Sequence, residues 1–306
     1  MKSDILKLPS FAKINLFLKI LGKRSEDNYH EISTLFQTIS LHDTLTFSQD
    51  KEISLNCNDQ NIPTNSDNLI IQAAELLQKK FGVKDGAKIY LEKNIPSPGG
   101  LGGGSSNAAI AILGLAAIWD LPAISRDLIE LGKKIGADVP FFFYGGTAIG
   151  RGIGTEIEEC SEITEKYLLI ITPNITVVTA NAYSLLNFPY LTKKDDKSIL
   201  TICRNPADKL DLSEINLVNY FEKSVFDYQP KIKEIKEKLL NLGAKNALMS
   251  GSGASIFSIF DNELKQQKAY NAFKGENVKR FAVKTISRQE YKKFLEPCKH
   301  LIPKSF

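Results

Sequence analysis

One stretch of the chain points to anion chemistry by its residue types: Pro96-Ser97-Pro98-Gly99-Gly100-Leu101-Gly102-Gly103-Gly104-Ser105-Ser106. Its glycines can take backbone angles that a Cβ forbids, and they let a phosphate approach the main chain closely. The stretch runs into residues 105–119, whose apolar spacing predicts a helix. Exposed N–H groups and the positive helix end then form an anion cradle. Ser105 and Ser106 add hydroxyls able to reach a phosphate or Mg²⁺. The pattern is not Walker A, because no Lys-Ser/Thr pair follows the last glycine. A loop that merely caps a helix is the plain alternative. The density of glycines, the two serines and the alanine-rich helix behind them argue against it. A second Gly/Ser turn, Gly251-Ser252-Gly253, precedes another strand-like stretch. Lys13 and Asn15, two apart in an alternating stretch, project to one side.

The elements that must position these groups can be read from periodicity. In residues 10–21, Ala12, Ile14, Leu16, Leu18 and Ile20 make one face; Phe11, Lys13, Asn15, Phe17 and Lys19 make the other, which predicts a half-buried strand. Further strands are expected at 32–37, 44–47, 88–91, 167–172, 255–260 and 279–285. Helical spacing covers 67–81, with Gly82 as its stop, 125–135, stopped by Gly136, and 229–242. Residues 150–165, rich in Gly and Glu, are the expected crossing between two halves. Helices and strands mix without strict βαβ alternation, so the class is α+β rather than a doubly wound sheet.

Composition narrows the function classes. With 306 residues and 43% apolar content, the chain can bury one large core or two ordinary ones. A net charge of +4 suits anionic phosphates but does not by itself signal nucleic acid. The Lys/Arg-rich end, 279–304, reads as a solvated face. Cys57, Cys160, Cys203 and Cys298 fit no zinc spacing and read as free thiols of a reducing cytosol. Residues 1–9 lack a signal-peptide pattern. The longest apolar run, 108–119, falls short of the roughly 20 residues that span a bilayer. A cytoplasmic protein with no membrane or nucleic-acid partner is expected. His42 and His300 have no partner pattern and read as structural.

The stretch at 96–106 resembles the second motif of the GHMP kinase superfamily. The first and third motifs have counterparts in order: residues 9–18, continuing to Asn28-Tyr29-His30, and Met249 to Ser255. Ala12-Lys13-Ile14-Asn15-Leu16, Tyr29-His30 and Gly136-Ala137-Asp138-Val139-Pro140-Phe141 further resemble the branch whose acceptor carries a cytidine diphosphate. The likeness extends across nearly the whole chain.

The resemblance implies a two-domain α+β GHMP-kinase fold. Residues 1–160 would form an N-terminal domain like the second domain of ribosomal protein S5, and 161–306 a ferredoxin-like C-terminal domain, with the active site in the cleft between them. It implies ATP as co-substrate, Mg²⁺, and transfer of the γ-phosphoryl group to the 2-hydroxyl of a cytidine-diphosphate-linked methylerythritol, a step of non-mevalonate isoprenoid biosynthesis. By resemblance, Asp138 accepts or orients the hydroxyl proton, and Lys13 offsets charge on the phosphoryl group. Residues 96–106 hold ATP. Asn15 bonds a substrate hydroxyl or phosphate, Tyr29 stacks on cytosine, and His30 reads its edge. Thr179 and Tyr183 complete the acceptor side; the family often has Phe at the latter position. Gly251, Ser252 and Gly253 shape the pocket and prop the glycine loop. Asn107 stands where many relatives carry Asp. A homoserine- or mevalonate-type acceptor remains open, as does a non-catalytic nucleotide- or RNA-binding module. So does the oligomeric state, monomer or weak dimer.

Overall fold

Residues rich in Ile, Leu, Phe and Thr drive two long strands, β1 (Ile5–Lys23) and β2 (His30–Asp50), which pair antiparallel from Ile5↔Ser48 to Lys23↔His30. This computed structural model describes residues 5–24, 27–186 and 217–304. The other edge of β2 pairs at one end with β4 (Gly86–Glu92) and at the other with β5 (Thr147–Arg151). β3 (Ile53–Cys57) lies parallel to β4, and β6 (Glu156–Glu159) closes a hairpin with β5, giving a six-stranded sheet. A second sheet has the order β10-β7-β9-β8, from β7 (Leu168–Pro173), β8 (Asn246–Met249), β9 (Ile256–Ile259) and β10 (Val278–Val283).

The predicted strands at 32–37 and 44–47 are thus two parts of one strand. Between them, β2 carries two residues more than β1, where the register steps from Phe11↔His42 to Lys13↔Thr38. That irregularity receives the chain leaving β10: Ser40 N donates to Lys284 O at 2.8 Å and Ile286 N to Thr38 O at 2.9 Å.

Three apolar cores stack through the molecule. Helices α1 (Leu69–Phe81), α2 (Gly103–Ile118) and α3 (Ser125–Ile135) cover one face of the large sheet, with Phe36, Phe47, Ile110 and Leu128 among the buried side chains. Ala12, Ile14 and Leu16 meet Leu168, Ile170 and Phe257 between the sheets. The alternate residues of β7, Leu169 and Ile171, face a third core with α5 (Thr179–Ser184), α6 (Phe221–Tyr228), α7 (Pro230–Asn241) and α8 (Glu263–Ala272).

Several expectations are corrected. β1 is buried on both faces rather than half-buried, because α2 and the short helix α4 (Phe141–Tyr144) cover the face that bears Phe11, Lys13 and Asn15. The stretch 150–165 is not one crossing: its first part is the β5–β6 hairpin, and only 160–167 connects the sheets. Residues 279–304 are not simply a solvated face. α9 (Arg288–Phe294) returns to the first core, where Tyr291, Leu295, Cys298 and Leu301 are buried, and Arg288 lies between Glu159 and Glu162. Cys57, Cys160 and Cys298 are free thiols; Cys203 lies outside the described residues. Among the described residues no helix is long and apolar enough to cross a membrane.

The Tyr291 hydroxyl donates to Phe142 O at 2.6 Å, tying α9 to α4. Tyr291→Phe leaves that buried carbonyl unpaired and should cost about 1–3 kcal/mol. A shifted urea midpoint at unchanged m-value is the expected result.

Candidate active site

The glycine loop ends at Gly102, whose left-handed φ of +69° forms the N-terminal cap of α2. The first intrahelical bond, Ser106 N to Gly102 O at 2.8 Å, leaves the amides of Gly103, Gly104 and Ser105 without partners inside the helix. No acidic residue occupies that first turn, so the helix end offers its amides and its positive dipole together. Gly100, at φ +70°, passes so close to the second Gly/Ser turn that a Cβ there would lie 2.1 Å from Ser250 O. That turn props the loop: Ser250 Oγ donates to Gly100 O at 2.8 Å and Ser255 N to Gly99 O at 3.2 Å.

Facing the helix end is a linear chain of polar side chains. Lys13 Nζ lies 3.2 Å from Asp138 Oδ2, with Lys13 only 3% exposed and Asp138 33%. The same ammonium donates to Asn15 Oδ1 at 2.6 Å, and Asn15 Nδ2 donates to Thr34 Oγ1 at 2.8 Å. Thr34 Oγ1 in turn donates to Phe17 O at 2.7 Å. The Lys13 main-chain N–H reaches into the glycine loop, donating to Leu101 O at 2.9 Å. Asp138 sits in the turn between Gly136 and α4, on the cleft wall. A Cβ on Gly136 would come within 3.9 Å of the Ser105 hydroxyl, so this turn and the helix end are neighbours.

Lys13, Asn15, Asp138 and residues 96–105 line a cleft of about 310 Å³, together with Thr179, Tyr183, Phe221 and the 251–253 turn. Thr179 and Ser252 share a hydroxyl hydrogen bond of 2.9 Å. A larger groove of about 660 Å³ lies over α9 and shares no lining residue with this cleft. Its Arg288 and Lys299 are engaged by glutamates.

The structure refines four of the sequence expectations. Ser106 is fully buried and accepts from Ser10 Oγ at 2.7 Å, so of the two serines only Ser105 faces the cleft. Both ends of the Asn15 amide are taken by Lys13 and Thr34, which makes it a support for the ammonium. Tyr29 is 59% exposed and does not line the cleft. His30 lies flat on Tyr183, with ring centroids 4.7 Å apart and planes 20° from parallel. Burial, followed by the nearby Lys23, holds the His30 imidazole below its ordinary range, which favours the neutral ring. Burial and the charge of Asp138 push the Tyr183 phenol up to about 12.

Two supports had no visible sequence signal. Thr34 sits in an unremarkable strand. Asp43, fully buried, accepts from Asn94 N and Ile95 N at 2.7 Å each, from Lys93 Nζ at 2.8 Å and from Asn107 Nδ2 at 3.1 Å. Burial raises the Asp43 carboxyl and lowers the Lys93 ammonium, each opposed by the other's charge. Asn107 is thereby a donor to a carboxylate; an Asp in its place would set two carboxylates against each other.

The chain is similar to known proteins along most of its length. The model for the GHMP kinases N terminal domain matches residues 68–146, and that for the GHMP kinases C terminal matches 202–279. The chain is 38% identical to 4-diphosphocytidyl-2-C-methyl-D-erythritol kinase of Clostridium kluyveri over 280 residues, 91% of this chain and 99% of that one. It is 36% identical to the kinase of the same name from Caldicellulosiruptor bescii, over 92% of this chain and 96% of that one. A crystal structure of 4-(cytidine 5'-diphospho)-2C-methyl-D-erythritol kinase superposes with a TM-score of 0.75 at 30% identity, covering 92% of this chain and 99% of that one. Homoserine kinase from Cytophaga hutchinsonii shares the fold, with a TM-score of 0.70 at 18% identity over 95% of this chain and 97% of that one.

Any side chain on Gly102 strains an αL position by about 1–2 kcal/mol and meets the Phe142 ring at 2.9 Å and the Lys13 stem at 3.0 Å. Gly102→Ala should therefore remain folded by circular dichroism while kcat falls at least about tenfold.

Proposed function

This chain belongs to the GHMP kinases, and within them to the 4-diphosphocytidyl-2-C-methyl-D-erythritol kinases, and from that premise we propose how its residues divide the reaction. It is an ATP-dependent small-molecule kinase of non-mevalonate isoprenoid precursor biosynthesis. In our reading the phosphoryl acceptor is the 2-hydroxyl of the methylerythritol unit. Residues 96–105 grip the triphosphate with main-chain amides, and the α2 dipole stabilises its charge. Asp138 accepts a hydrogen bond from the attacking hydroxyl and takes its proton as the bond to phosphorus forms. Lys13 stays beside both, offsetting charge on the transferring group. The observation that carries this assignment is the 3.2 Å contact between Lys13 and Asp138, opposite the partnerless amides of α2.

Mg²⁺ fits this site as an ion carried by the nucleotide. The described residues contain no group of three His, Cys, Asp or Glu able to cage a metal. The cleft does offer the Ser105 hydroxyl and one carboxylate, Asp138, beside the phosphate cradle. When bound, the ion neutralises phosphate charge.

On the acceptor side, Tyr29 and Tyr183 supply rings for cytosine and His30 its polar edge. A base between the tyrosines requires His30 to leave the Tyr183 face. Thr179 and Ser252 offer hydroxyls in the same cleft as Tyr183. Residues 1–160 and 161–306 act as the two domains, with 286–302 folded back on the first, and the enzyme works in the cytoplasm on a small-molecule substrate. Homoserine- and mevalonate-type acceptors have no base for these rings.

ADP release from ATP, Mg²⁺ and 4-diphosphocytidyl-2-C-methyl-D-erythritol tests the activity, with no release above background as the contrary result. Asp138→Ala should lower kcat at least about 10²-fold with little change in the KM for ATP. A near-normal kcat would remove Asp138 from its role. Because the His30 pKa is depressed, the neutral ring persists down to below the ordinary histidine value. kcat/KM for the acceptor should be flat above that value and fall on acidification below it, and His30→Asn should abolish that limb.

A further inference from the structure

Asn219, two residues before the start of α6, carries a side-chain amide buried to 4% exposure and bonds to Phe221 and Gly251, which both line the cleft. Its backbone neighbours continue the sheet edge at β1: Leu18 N donates to Val218 O at 2.8 Å, and Tyr220 N donates to Leu18 O at 3.0 Å. Its side chain spends every polar atom. Nδ2 donates to Met249 O and to Gly251 O, both at 2.7 Å, and Oδ1 accepts from Phe221 N at 2.9 Å. A residue that only capped α6 would need the last of these bonds alone. Here the amide protons reach the last residue of β8 and the turn after it, 30 and 32 residues onward.

The two ends of the amide address different halves of the cleft. Gly251 lies against the donor half: a Cβ on it would sit 3.2 Å from Gly100 O and 3.4 Å from Asn15 Oδ1, the atom that holds the Lys13 ammonium. The turn also carries Ser252, bonded to Thr179. Phe221 lies against the acceptor half, its ring edge-on to Tyr183 at 4.8 Å between centroids. One side chain therefore sets the distance between the wall that shapes the phosphate loop and the wall that shapes the base site.

We propose that Asn219 is a positioning residue for phosphoryl transfer: its Nδ2 fixes the Gly251 turn against the glycine loop and Lys13, and its Oδ1 fixes Phe221 behind Tyr183. This inference rests on the kinase reading above. Neither end touches substrate.

The separate duties of the two ends make the inference testable by splitting them. Asn219→Asp retains an Oδ1 acceptor for Phe221 N but turns an oxygen toward two carbonyl oxygens. Asn219→Ala removes both ends. Steady-state constants are measured well below each variant's melting temperature, with the folded fraction taken from the melt, and with wild type alongside. For Asn219→Asp, kcat should fall and the KM for ATP rise, each about tenfold, while the KM for the acceptor stays within about twofold. For Asn219→Ala the acceptor KM should rise as well. If Asn219→Asp does not fold, Asn219→Ala decides, since it introduces no charge. A folded Asn219→Ala with a lower melting temperature but wild-type kcat and both KM values would overturn the proposal, leaving only a structural role. An inactive wild type would instead remove the kinase reading.

Discussion

A lysine ammonium taken out of water must have its donors satisfied, or its burial works against the fold by several kcal/mol. Lys13 meets that demand with groups from three separate parts of the chain. Asn15 comes from its own strand, Asp138 from the turn after α3, and the face of Phe36, 5.4 Å away, from β2. Its main-chain amide is meanwhile held by Leu101 of the glycine loop. The residue is fixed at both ends, so the phosphate cradle and the ammonium cannot drift apart without breaking bonds that are themselves buried. Gly102 leaves room for the Lys13 stem by having no side chain.

The rest of the architecture supports that arrangement from behind. Asp43 holds the entry to the loop through the amides of Asn94 and Ile95, and joins it to α2 through Asn107. The turn at 250–255 belongs to the second sheet yet bonds to Gly99 and Gly100. The cleft consequently lies on the seam between the sheets, and its rigidity depends on how firmly the seam is closed. Two further contacts fasten the C-terminal segment to the first sheet and its helices. The irregular turn of β2 at Ser40 receives the strand leaving β10, and Tyr291 bonds to Phe142 close to Asp138. Phosphoryl transfer through a loose transition state asks for positioning above all, and a seam fastened at several points supplies it.

Much of this was legible in the amino-acid sequence, and the gaps have physical causes. The α3 bounds and its stop at Gly136 follow from spacing alone, as does the shared side of Lys13 and Asn15. The glycine loop announced its chemistry through residue type. Burial of β1 on both faces was not legible, because alternation reports one apolar face and is silent about what covers a polar one. Ser105 and Ser106 could not be told apart, since adjacent residues on a helix differ by about 100° and only the packing partner, here Ser10, selects the inward one. Asp43, Thr34 and Asn219 were invisible for a related reason: each works through partners distant in sequence, and no local pattern marks a buried polar residue as satisfied.

The acceptor half differs from the donor half in kind. The proposed phosphate cradle is preformed: the amides at the start of α2 have no partner inside the helix, and Gly100 and Gly102 already hold their positive φ. In the proposed base site, by contrast, His30 covers the ring of Tyr183. Opening it breaks an aromatic contact worth about 0.5–1.5 kcal/mol. A cytosine entering there regains stacking worth about 1–3 kcal/mol and brings a polar edge for the displaced imidazole. An acceptor with no base has no ring to place there and gains no such stacking. In the proposed reading, discrimination arises because a base-bearing acceptor exchanges the closed stack for its own stacking, whereas a small alcohol has only the Lys13–Asp138 end of the cleft to bind.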